Sequence, residues 1–275
     1  MKIESHVLND LHALRYAEDD QESRYALVIS HGLGGHGGIY NTFCEHHAAK
    51  GVEIWSFDAP GHGRSTTSRP RGQFSMEEWA QGTRDFAAHV KAKTGLPVFA
   101  LGSSLGVSAA ISAIDSPDLS GVICMGSLAV PGSPTIKAMT EAWRSEPVQQ
   151  LLAQFGRALR IDLPLFFDFD EDYGYKGAAE AKRQDPLNTW SYDAASWASI
   201  MNYVPPVPLS ENTKPVLYTA GSKDPNIPDG GLELIVSEIG GPVTLKIFED
   251  ATHQLMLFNT EEYSSCIHDF CIENS

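Results

Sequence analysis

The sequence predicts an α/β fold: a mostly parallel sheet flanked by helices and interrupted once by a helical insertion. Three observations predict it. Short, continuous apolar runs at 25–30, 52–57 and 98–101 alternate with helical patterns, as strands covered on both faces do. Glycine-rich stretches follow these runs, at the carboxyl ends where open α/β sheets bind ligands. From 131 to 210 the strand pattern stops, and it resumes at 214.

The chain has 275 residues, 42% of them hydrophobic. That is enough for one sizeable core carrying an inserted subdomain. The net charge of −15 repels phosphate backbones, so nucleic acid is not an expected partner. The amino terminus lacks the apolar core of a signal peptide, and no apolar stretch is long enough to span a bilayer. Cys44, Cys124, Cys266 and Cys271 show no metal-ligand spacing and imply no disulfide framework, which makes a reducing cytoplasm the expected location.

Taken in order, residues 1–20 read as two short strands and 19–23 as a charged turn. The run at 25–30 is a central strand. It opens into His31-Gly-Leu-Gly-Gly-His-Gly-Gly38. Glycines there let backbone N–H groups approach a substrate, and the Leu33 N–H is assigned as an oxyanion donor. The stretch lacks the spacing of a phosphate loop, and no carboxylate joins His31 and His36 at metal-ligand spacing. A helix at 39–50, stopped by Gly51, precedes the strand at 52–57. In the turn Asp58-Ala-Pro-Gly-His-Gly-Arg-Ser65, Asp58, His62 and Arg64 read as bracing residues rather than catalytic ones.

Residues 74–93 read as a helix, because Ser75 and Glu78 make a capping box and Trp79, Thr83, Phe86 and Val90 recur at helical spacing. The strand at 98–101 runs into Gly102-Ser-Ser-Leu-Gly106, and an Ala-rich helix follows. This is the strand–turn–helix setting of a Gly-x-Ser-x-Gly nucleophile, with Ser104 at its centre. So sharp a turn needs small residues two before and two after the serine. The Leu105 N–H, at the start of the helix, is the other oxyanion donor. Another strand lies at 119–125.

Residues 131–210 read as a helical cap, with amphipathic segments at 136–143, 147–159 and 193–203 and a concentration of aromatic rings. Trp143, Phe155, Phe166 and Trp197 are the candidates for an apolar substrate pocket. The acidic run 168–172 reads as a solvated face or loose loop, without the ligand spacing of a calcium site. The core resumes with strands at 214–220 and 243–248 and helices at 231–239 and 258–272. Asp224 follows the first of these strands, and His253 lies in the loop directly after the last.

Ser104, Asp224 and His253 stand in the chain order Ser…Asp…His, each at the carboxyl end of a predicted strand. They can therefore converge as nucleophile, acid and base. His31-Gly-Leu-Gly, Asp58-Ala-Pro-Gly-His-Gly-Arg-Ser65, Gly102-Ser-Ser-Leu-Gly106, Gly221-Ser-Lys-Asp224 and His253 together resemble the α/β-hydrolase superfamily, in its monoacylglycerol-lipase-like, serine aminopeptidase S33 group. The resemblance implies an eight-stranded core with a cap inserted after the sixth strand, the triad and oxyanion donors named above, and no cofactor. Two positions depart from many members: Ser103 stands where they carry His, and Val107 where they carry a second Gly. The expected function is hydrolysis of a small-molecule apolar acyl ester through Ser104. A lactonase, an amidase or peptidase, and a non-catalytic binding protein on the same scaffold are the alternatives.

Overall fold

The computed structural model describes residues 1–18 and 22–275. Most of the expected 19–23 turn therefore lies outside the described residues. The chain opens with β1 (Lys2–Leu8), β2 (Leu11–Ala17), β3 (Tyr25–Ser30), α1 (Asn41–Ala48) and β4 (Val52–Phe57). Next come α2 (Met76–Thr94), β5 (Val98–Ser103), α3 (Gly106–Ser112) and β6 (Gly121–Met125). The insertion holds α4 (Pro134–Met139), α5 (Glu146–Phe155), β7 (Arg160–Asp162), α6 (Phe169–Tyr173), α7 (Ala178–Arg183), β8 (Ser191–Asp193) and α8 (Ala194–Asn202). The chain closes with β9 (Val216–Gly221), α9 (Gly231–Ser237), β10 (Val243–Phe248), α10 (Leu255–Phe258) and α11 (Thr260–Glu273).

Eight strands form one sheet in the order β1-β2-β4-β3-β5-β6-β9-β10. The β1–β2 and β2–β4 pairs are antiparallel, and all the others are parallel. Every residue of β3, β4, β5, β6 and β9 is buried, which is why these strands are dominated by apolar residues. Alternate side chains feed two cores. Ala26 and Val28 join Trp79 and Phe86 of α2 and Ile111 of α3 on one face. Tyr25, Leu27 and Ile29 join Phe43 of α1 and Ile267 and Phe270 of α11 on the other.

Helix α2 has the expected capping box at Ser75 and Glu78, and it ends at Gly95 in the left-handed conformation. The helices expected at 39–50 and 258–272 form as α1 and α11, each starting two residues later than expected. A 3-10 turn at Gly37–Tyr40 precedes α1, and Asn259 separates α10 from α11. The stretch 131–210 is not purely helical, because β7 and β8 pair as a short antiparallel ladder. Nor is the acidic run at 168–172 a loose loop, although Asp168 and Glu171 are solvent-exposed. Asp168 caps α6 by accepting from the Asp170 and Glu171 N–H groups, and Asp172 is buried.

Candidate active site

The turn after β5 holds Ser104 at φ +51°, a conformation that costs a non-glycine residue energy and survives only where its surroundings enforce it. Here they do. The Ser104 N–H donates to the Met125 carbonyl at 2.7 Å, and the Val107 N–H donates to the Ser104 carbonyl at 2.9 Å. A Cβ on Gly102 would lie 2.5 Å from the Gly106 carbonyl oxygen, and one on Gly106 would lie 2.2 Å from that of Ser30. Both positions exclude any side chain, as the pentapeptide pattern requires.

Gly221 ends β9, and its Cα packs so tightly on the next loop that a Cβ would lie 2.2 Å from the Ala251 carbonyl oxygen. That contact brings Asp224 to His253. The His253 Nδ1–H donates to Asp224 Oδ2 at 2.7 Å, and Asp224 Oδ1 accepts from the Asn226 N–H at 2.9 Å. This bond fixes the tautomer, leaving Nε2 as the basic nitrogen. Gly126, at φ +65°, makes room for the pair, since a Cβ there would lie 3.0 Å from His253 Nδ1.

The loop after β3 lies over the serine, with the Gly32 Cβ position 3.2 Å from Ser104 Cβ. Four side chains hold it. His31 Nδ1–H donates to the Gly32 carbonyl at 2.8 Å while its Nε2 accepts from Ala59 N–H at 3.0 Å. The Gly32 N–H donates to the Tyr40 hydroxyl at 3.3 Å, and the Gly34 N–H to the Tyr192 hydroxyl at 2.7 Å. The Gly37 N–H donates to Asp58 Oδ1 at 2.7 Å. Burial lowers His31 to about 4, so it is neutral at pH 7. Among the described residues, neither the Leu33 N–H nor the Leu105 N–H has an acceptor.

Asp58 is a bracing residue. Besides Gly37 it takes the Arg64 N–H at 2.7 Å, and His12 Nδ1 lies 3.3 Å away. Burial alone would raise its pKa, but His12 and the two backbone donors prevail and hold it at about 2. A depressed carboxylate stabilises the fold fully above its unfolded pKa of about 4, and that contribution is lost as pH falls through about 2. In urea unfolding, Asp58→Asn is therefore expected to cost about 2 kcal/mol at pH 7 and much less at pH 2.5. An equal loss at both pH values would contradict this. His62 braces too, with Nε2 2.8 Å from the Tyr192 hydroxyl.

Two cavities meet at Ser104 and His253. The larger, about 350 Å³, is lined mostly by apolar groups, among them Leu33, Met139, Trp143, Phe167, Trp197 and Ile200. Phe155 and Phe166, expected in the pocket, do not line it. Both are more than half exposed, because their side of the insertion faces outward, although the Phe166 ring touches Trp197. Phe167 takes the inward place. The second cavity, about 20 Å³, is the more polar of the two: Tyr40, Asp172, Lys182 and Gln254 share its wall with Ile39 and Phe169 beside the serine and histidine. Sequence reasoning did not find these four residues. Gln254 had a weak signal, adjoining His253, and Lys182 had none.

The family profile of the serine aminopeptidases, S33, matches residues 21–261. The chain belongs to this family. Within the S33 fold, the chain is 24% identical over 261 residues to a monoacylglycerol lipase of Mycolicibacterium smegmatis, covering 91% of this chain and 88% of that protein. It is 32% identical over 116 residues to a monoglyceride lipase homolog of Monkeypox virus. That match spans only 40% of this chain and 41% of the viral protein. The crystal structure of a Paleococcus ferrophilus monoacylglycerol lipase superposes with a TM-score of 0.73 at 22% identity, covering 96% of this chain and 99% of that one. Its fold is thus the α/β-hydrolase fold of this S33 chain. Among the described residues, no helix is long and apolar enough to cross a membrane.

Proposed function

We propose that the chain is a serine carboxylic-ester hydrolase, acting on an apolar acyl ester through an acyl-enzyme on Ser104. The observation that carries the reading is the His253–Asp224 hydrogen bond in a cavity that also contains Ser104 at a strained turn. His253 Nε2 takes the Ser104 proton as Oγ attacks the carbonyl carbon, then delivers it to the leaving alcohol. Asp224 stabilises the imidazolium. The free Leu33 and Leu105 N–H groups receive the oxyanion, and one such donor contributes about 3 kcal/mol to transition-state stabilisation. Residues 131–210 act as the cap, and Trp143 and Trp197 contact the acyl chain from it. The lipase relatives support an ester substrate with a fatty acyl part, and four free thiols suit a reducing cytoplasm.

The test pairs a fluorophosphonate probe with a series of p-nitrophenyl esters. The probe is expected to label Ser104, located by peptide mass. Hydrolysis is expected to peak at one acyl length, since a bounded apolar cavity gains about 0.8 kcal/mol per buried methylene until it is filled. Absence of labelling would remove the serine mechanism. Equal rates from acetate to decanoate would remove the enclosed acyl pocket.

A further inference from the structure

We propose that the small polar cavity beside Ser104 holds the water that hydrolyses the acyl-enzyme, positioned by Gln254 and Lys182. The inference rests on the serine-hydrolase reading and deepens it. A cavity of about 20 Å³ exceeds the ~10–15 Å³ that one ordered water needs, and such a water requires two to four polar partners. It is too small for an acyl chain, for which the apolar cavity of about 350 Å³ that also reaches Ser104 has room.

The lining supplies partners left over by the protein itself. Gln254 is buried, and its Oε1 has no hydrogen-bond partner. A buried acceptor without a donor is costly unless something supplies one. Lys182 is equally buried. Its Nζ reaches only Asn188 Oδ1, at 3.4 Å, and otherwise lies 5.5 Å and 5.9 Å from the Phe169 and Tyr173 ring centres. Among the described residues, no carboxylate lies within ion-pairing distance of it. Asp172, also on the wall, is engaged by the Asn226 side-chain amide at 2.7 Å. One orphan acceptor and one under-used donor thus face a water-sized space that His253 also lines.

The chemistry places a water there. Once the alcohol has left, the water oxygen attacks the acyl carbonyl carbon while His253 Nε2 takes one of its protons. The tetrahedral intermediate then collapses. The bond from carbon to Ser104 Oγ breaks, the proton returns from His253 to Oγ, and the free acid departs. A water held from the outset by Gln254 and Lys182 needs no reorganisation when attack begins.

The experiment separates the two half-reactions. Rapid mixing with a p-nitrophenyl ester gives the acylation burst, and intact-protein mass spectrometry gives the lifetime of the acyl adduct. For Gln254→Met the burst rate is expected to match wild type, while the adduct persists about tenfold longer, the effect of one lost hydrogen bond. Lys182→Met is expected to do the same, and it carries the test if the Gln254 variant does not fold. A merely structural role would slow both phases together, and that result, or an unchanged adduct lifetime in folded variants, overturns the proposal. Failure of the wild type to form an adduct overturns instead the serine mechanism beneath it.

Discussion

Replacing Ser104 by alanine is expected to lower kcat for ester hydrolysis by about a hundred-thousand-fold or more, the scale seen when a triad nucleophile is removed. The reason is chemical rather than structural. Alanine keeps the Cβ, and the Ser104 N–H bond to Met125 and the packing of Gly102 and Gly106 involve only backbone. Among the described residues, Oγ makes no hydrogen bond that the change would remove. Thermal stability and binding of a long-chain ester should therefore stay close to wild type while turnover vanishes. Steady-state kinetics with a melting curve on the same sample checks this. A folded Ser104→Ala enzyme retaining even one hundredth of the wild-type rate would refute the nucleophile assignment.

The second large effect is expected from Asp224→Asn, about ten-thousand-fold in kcat. The geometry says why an isosteric change should be so damaging. Oδ1 accepts the Asn226 N–H, so an asparagine must keep its oxygen on that side. Its NH2 then faces His253 Nδ1, 2.7 Å away. A donor there turns Nδ1 into an acceptor and moves the imidazole proton to Nε2, which can no longer receive the serine proton. Asp58→Asn is the matched control. It alters a carboxylate equally deep in the protein, yet its expected cost falls on stability and its pH dependence. If the two variants lost activity alike, the division between an acting and a bracing aspartate would not stand.

The sheet was legible because burial on both faces leaves a strand few polar positions, as in β3 and β5. The turn at Ser104 was legible because backbone crowding forbids side chains at Gly102 and Gly106. The insertion was read less well. Helices α6 and α7 span five and six residues, too few for a periodicity to show. Aromatic content does not reveal direction, so Phe166 was expected inward where Phe167 lies. Lys182 and Gln254 stand 72 residues apart in sequence and share a wall only through the tertiary fold, and no local pattern records that.

Gly34 has no room for a Cβ, which would lie 2.4 Å from the Thr189 carbonyl oxygen. Its carbonyl accepts from the Thr189 N–H, and its own N–H donates to Tyr192. A nascent chain released before residue 192 thus lacks the groups that set its first catalytic loop. The loop can take its working shape only after two-thirds of the polypeptide has been made. For the same reason the segment around 189–192 is fixed scaffolding.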